Sequence, residues 1–238
     1  MAPVIITDNL GKKYGDLDAV NRVNFSVREG SLFGLLGPNG SGKTTMIKML
    51  TGQILPSSGK GYVLDIDVTS DPVEVRRSVG IVPEQETPPS FLTVMEYLEF
   101  VGEIRKIPDL EKKILWWLEF LDFGDKRDVL CKDLSRGTRQ KLMLTQAFIH
   151  EPKLALIDEP LINFDPIMQT KVKEFFVSYV HQGNTLFLST HLLETAEEIC
   201  TDIAILHKAN LLFCGTIHEV LEKSGHLPEF FLSLVRSN

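Results

Sequence analysis

Cysteine is scarce and scattered. Cys131, Cys200 and Cys214 form no CxxC pair and no Cys/His ligand spacing, which excludes a disulfide scaffold and a finger-type zinc site and suits a reducing compartment. All three are expected as buried thiols. Long apolar runs are also missing: none approaches the roughly 18 to 20 residues of a membrane-crossing helix. The opening MAPVIITDNL lacks a basic stretch followed by an apolar one, so a soluble, unexported chain is expected. Positive charge is in deficit, with 25 Lys+Arg against 32 Asp+Glu and a net charge of −7. That balance leaves no electrostatic footprint for non-specific nucleic-acid binding or for coating an anionic membrane, and no nucleic-acid partner is expected. Internal repeats and low-complexity segments are absent.

What is present is ordinary globular material, 238 residues at 43% hydrophobic and 24% charged, enough for one α/β domain carrying a subdomain. The first thirty residues alternate loosely (VIITDNL, then VNRVNFSV) and are broken by Gly11, Gly15 and Gly30, a pattern of short antiparallel strands with turns. Leu32 to Leu36 is a short apolar run that ends in GPNGSGKTT and is followed by MIKML, which predicts strand, glycine loop, helix. Further buried strands are predicted at Val79–Val82, Leu154–Ile157, Thr185–Leu188 and Ile203–Leu206, with helices between them and a largely parallel sheet. Between about Thr93 and Ile149 strand signals vanish, and Val94, Leu98 and Val101, then Ile114, Leu118 and Leu121, fall at helical spacing. The spacing predicts an all-helical insertion, entered through Pro88, Pro89 and Ser90 and left through His150, Glu151 and Pro152. The aromatic pairs Trp116–Trp117 and Phe175–Phe176 are read as packing.

Gly37 to Thr44 fits GxxxxGK[ST] without a mismatch. Such a loop turns its backbone N–H groups inward to form an anion nest at the positive end of the following helix. Gly37, Asn39, Gly40, Ser41, Gly42, Lys43, Thr44 and Thr45 are therefore the candidate nucleotide-phosphate set, with Lys43 reaching the β and γ phosphates and Thr44 offering its hydroxyl to Mg²⁺. LALIDEP, Leu154 to Pro160, delivers Asp158 and Glu159 at the C-terminal end of a strand, where open α/β sheets bind ligands. Asp158 is the candidate to hold Mg²⁺ through water, and Glu159 the general base for an attacking water.

With these residues in place the sequence resembles the nucleotide-binding subunit of ABC transporters, from about Val4 to Leu221. The resemblance implies ATP and Mg²⁺ as ligands and a head-to-tail dimer in which each ATP lies between one phosphate loop and the partner's signature motif. It implies that Tyr14 stacks on adenine. LSRGTRQKL, Leu134 to Leu142, resembles the signature LSGGQRQRL: Ser135 and Gly137 are retained, while Arg136 and Thr138 replace a glycine and a glutamine, Arg136 either adding a cation near the phosphate or pointing to solvent. In VGIVPEQE, the family's Mg²⁺-contacting glutamine falls on Glu84, with Gln85 one residue beyond; either offers an oxygen. Asp165 in INFD matches the D-loop aspartate, and His191 in LSTHLLE the switch histidine that lines up water and Glu159. The tail DIAILHKANLLFCGTIHEVLEK matches a strand pair and a final helix, with no appended regulatory domain expected.

The whole chain, 1–238, is thus expected to be a single ABC-type ATPase domain: a P-loop core with an N-terminal antiparallel β subdomain (1–89 and 150–238) and a helical subdomain (about 90–149). The expected function is an ATP-hydrolysing motor on the cytoplasmic face of a membrane, dimerising with itself or a second ATP-binding subunit and driving a permease. Glu84 and the basic residue in the signature resemble the exporter branch with separately encoded permeases. A soluble ABC-type ATPase acting on a ribosome, nucleic-acid or protein assembly is the alternative, as is a regulatory subunit with little turnover.

Overall fold

The alternating N-terminal residues fold into β1 (Pro3–Tyr14) and β2 (Leu17–Arg28), which pair antiparallel around Gly15 in the computed structural model, which describes residues 2–85 and 88–236. Gly11 does not break the strand as its identity suggests. It lies inside β1 beside a shift in register, and an added Cβ would stand 2.6 Å from Ser58 Oγ, so glycine there admits the neighbouring strand. After β3 (Leu32–Leu36) and α1 (Lys43–Leu50) come β4 (Ser58–Val63), β5 (Ile66–Asp67), α2 (Pro72–Ser78) and β6 (Gly80–Val82). The insertion supplies α3 (Val94–Arg105), α4 (Leu110–Phe120) and α5 (Arg136–Phe148), and one isolated bridge, Thr93 to Leu130, survives within it. Then follow β7 (Leu154–Asp158), α6 (Pro166–His181), β8 (Thr185–Thr190), α7 (Leu193–Ile199), β9 (Asp202–His207), β10 (Asn210–Thr216), α8 (Ile217–Ser224) and α9 (Leu227–Arg236).

The strands form two sheets, an antiparallel one ordered β2-β1-β4-β5 and a larger one ordered β10-β9-β3-β8-β7-β6 that is parallel except for β9 with β10. Every residue of β3, β7 and β8 is buried, as expected of strands covered on both faces. Alternation splits β3 cleanly. Phe33 and Leu35 join the core shared with the antiparallel sheet and α1, where Phe33 stacks on Phe25 at 5.5 Å and on Phe187 at 5.4 Å, whereas Leu32 and Leu36 join the core under the helical insertion.

Three expectations need correction. Cys214 is exposed, because it lies on β10 at the sheet edge, while Cys131 and Cys200 are buried. Trp117 is 6% exposed but its neighbour Trp116 is 52% exposed, since adjacent residues on a helix cannot face the same side. The tail ends in two helices rather than one: Glu197 accepts the Leu227 N–H at 2.6 Å and tethers α9, whose Phe230 packs edge-on against Phe213. Among the described residues no helix is long and apolar enough to cross a membrane.

Candidate functional site

Parallel pairing aligns Leu36 with Thr190 and Asp158 with Ser189, so β3, β8 and β7 end side by side. The loop leaving β3 is held by close approach: a Cβ on Gly42, at φ 110°, would stand 2.3 Å from Ala19 O, and one on Gly37 2.3 Å from Leu206 O. No side chain caps α1, which leaves its first-turn N–H groups for an anion.

Lys43 is buried, and its ammonium donates to Gly37 O at 2.8 Å and Pro38 O at 3.3 Å while facing Glu159 Oε1 at 3.6 Å. Glu159 sits at φ 48°, in the left-handed region that a glutamate seldom adopts. Its N–H is held by Ser189 O at 3.2 Å and Ser189 Oγ at 3.3 Å. Its Oε1 also lies 2.9 Å from His191 Nδ1, whereas Oε2 is buried without a hydrogen-bond partner among the described residues. Asp158 is buried beside it. Burial pushes its carboxyl above the ordinary aspartate range, and hydrogen bonds from Ser189 and Thr44 work the other way. The Thr44 hydroxyl donates to Glu84 Oε2 at 3.3 Å.

Thr44, Asp158 and Glu84 therefore present a set of hard oxygen donors beside a buried lysine, with the unpartnered Glu159 Oε2 and Ser41 Oγ close in sequence to them. That donor chemistry fits Mg²⁺, and the loop fits the phosphates that accompany it. A cleft of about 250 Å³ opens over the loop, lined by Asn39, Gly40, Gly42, Lys43, Thr44, Thr45, Glu84 and Glu159.

Other expected residues lie elsewhere. Gln85 is exposed and does not line the cleft. Tyr14 does not line it either; the residue is 49% exposed, with Lys12 Nζ over its ring at 5.2 Å. Ser135 caps α5, accepting from Thr138 N at 3.2 Å and sharing a 2.9 Å hydroxyl contact with Thr138 Oγ1. Asp165 caps α6 through Met168 N at 3.0 Å, and that bond holds its carboxyl below the usual range. Gly137 lies against the INFD segment, where an added Cβ would meet Asn163 O at 2.9 Å. Ser135, Gly137 and Asp165 thus share a surface outside the cleft. Two groups escaped the sequence reading. Leu17, Asp18 and Ala19 of β2 complete the cleft wall, and Ser189 binds both Asp158 and the Glu159 backbone. The signal for Ser189 is a hydroxyl at the end of an otherwise apolar strand.

The fold and this cleft define a phosphate-loop ATPase. Residues 20–162 match the family model described as ABC transporter. The Nod factor export ATP-binding protein I of Ralstonia nicotianae is 32% identical over 92% of this chain and 69% of its own length. A solved structure of an ATP-binding subunit of an ABC transporter is 27% identical, with a TM-score of 0.90 over 98% of this chain and 99% of that one. The same fold, at 22% identity and TM-score 0.83 over 90% of this chain and 98% of the other, occurs in a dimeric cassette in a post-hydrolysis state bound to ADP and Pi. The chain belongs to the ABC transporter family and is an ATP-binding ATPase subunit of it. It spans 58% to 83% of the length of the curated relatives it matches.

Proposed function

We propose that two such domains close head to tail on two Mg·ATP and that hydrolysis reopens them, moving a membrane permease bound to the pair at its cytoplasmic face. The observation that carries this reading is the division of the site: the phosphate loop, Glu84 and Glu159 line one cleft, with His191 bonded to Glu159, while Ser135 and Gly137 stand at the N-terminus of α5 outside that cleft. A partner's α5 N-terminus would complete each cleft, adding hydrogen-bond donors and a positive dipole end to the γ phosphate. The neighbour of the same fold is dimeric with ADP and Pi bound, which supports pairing of two such domains.

At the cleft, Lys43 would meet the β and γ phosphates, and Thr44 and Glu84, with Asp158 through water, would hold Mg²⁺. The ion would supply charge neutralisation at the phosphate oxygens. Glu159 orients water and takes its proton, held in line by His191 and by its strained backbone. Tyr14 offers an exposed ring to the base, and Asp165 caps α6 on the surface that also carries Ser135 and Gly137. For the permease, Phe100 and Ile104, one turn apart on α3, and Phe91 just before that helix offer exposed apolar side chains on the helical insertion. Export is the direction favoured by the names of the relatives.

Glu159→Gln tests the core of this reading. It is expected to keep ATP affinity, to lower turnover by about 10² to 10⁴, and to accumulate an ATP-bound dimer on size exclusion. Hydrolysis at the unaltered rate would remove Glu159 from the base role.

A further inference from the structure

Between α4 of the helical insertion and α6 of the core runs an open groove of about 980 Å³, near the top of the range of about 300 to 1,000 Å³ seen for small-molecule sites. It shares no lining residue with the nucleotide cleft. Its walls are aromatic. Trp116 lies flat on Phe120 at 5.0 Å and 5°, and Trp117 meets Phe175 edge-on at 5.2 Å. Phe148 and Tyr179 form the floor, and the Tyr179 hydroxyl is already satisfied by Pro152 O at 2.5 Å, so the floor demands no polar partner.

The rim carries Lys112, Lys113, Lys153 and Lys171 against Glu151 and Glu174. Lys113 pairs with Glu151 at 3.0 Å, Lys171 lies over the Phe120 ring at 5.0 Å, and Lys112 keeps only a 3.6 Å surface contact with Asp109. Lys153 makes no ion pair or side-chain hydrogen bond among the described residues. Four cations against two anions make this a positive rim on a chain whose net charge is −7.

We propose that this groove binds a free amphiphilic anion, a molecule with a flat aryl or acyl body and a carboxylate head. The body lies along the Trp116–Phe120 wall, where it covers apolar surface now in water. The head meets Lys153 and Lys112. The groove also straddles the joint of the molecule: α4 belongs to the insertion, α6 to the core, and Phe148 to Lys153 is the segment by which the chain returns. An occupant touches both sides of that joint and restrains the insertion that carries Ser135. This consequence for turnover rests on the proposed dimer mechanism; the binding itself does not.

The sequence contains two tryptophans, Trp116 and Trp117, both in the groove, so their emission reports on this site alone. The full chain is titrated with laurate below its micelle concentration, with dodecanol as the uncharged counterpart. A saturable emission change is expected, weakened about tenfold or more for dodecanol and for the double variant K112E/K153E, each of which loses the head-group attraction. ATP affinity of that variant stays unchanged. No saturable change, equal binding of dodecanol, or indifference to charge reversal overturns the proposal. So does a groove that ignores laurate but takes an acidic amphipathic peptide, or that mediates self-association abolished by Trp116→Ala. ATP turnover indifferent to bound laurate overturns the coupling across the joint and leaves the nucleotide reading untouched.

Discussion

Lys43 spends its charge on two backbone carbonyls and one carboxylate within a buried loop, an arrangement that holds the ammonium where phosphate oxygens would take it over. Lys43→Ala is expected to abolish nucleotide binding by calorimetry while the fold persists, because Glu159 keeps its contact with His191; undiminished affinity would contradict the phosphate-loop assignment. Glu84, like Arg136 and Thr138, is a position at which the sequence departs from the pattern it otherwise resembles. Glu84→Gln keeps an acceptor for Thr44 but removes a charge from the ion's surroundings. The Mg²⁺ concentration giving half-maximal turnover is expected to rise, and an unchanged midpoint would take Glu84 out of the ion site. At this scale the sequence was informative wherever function needs a particular residue type in a particular loop. It was silent on Ser189, because a serine at a strand end signals nothing until β7 and β8 pair in register and bring it to Asp158.

Elements are set by their ends as much as by their faces. Thr93 Oγ1 accepts from Glu96 N at 3.2 Å while Thr93 N donates to Glu96 Oε2 at 2.8 Å, a reciprocal cap that starts α3 after the proline-rich entrance. Thr93→Ala is expected to cost about 1 kcal/mol in denaturant unfolding, and a loss near zero would mean that packing alone defines the start. The final helix depends on charge. Glu197 accepts from Leu227 N and from His226, and these bonds lower the Glu197 pKa, while the same contact raises that of His226. For the acid, a lowered folded pKa gives stabilisation that is present above its unfolded pKa and lost as pH falls through the folded one. For the histidine, a raised folded pKa gives stabilisation that is present below its unfolded pKa and lost as pH rises through the folded one. Docking of α9 is therefore expected to be firmest between the two pKa values, with amide protection at Leu227 to Phe230 falling on either side; a flat profile would assign the docking to Phe230 packing. The sequence did not disclose α9, because the bond that anchors its start comes from Glu197, 30 residues earlier in the chain, and exists only once the two segments pack.

For the whole molecule, the proposed dimer requires that one copy carry two incomplete halves of a site. Ser135→Ala is expected to leave ATP affinity of the single chain intact and to lower turnover and ATP-dependent dimerisation, once any loss of the α5 cap has been measured by thermal unfolding. Full turnover would count against head-to-tail closure. The sequence by itself determined the alternation of strands and helices, the phosphate loop, the paired carboxylates and the family, because each depends on local periodicity or on residue types at fixed spacing. Only the tertiary structure decided that Glu84 rather than Gln85 faces the cleft, that Trp116 stays half in water beside a lysine rim, and that Ser135 lies outside the cleft. These depend on which surfaces meet when distant segments pack, and no local pattern in the chain encodes that.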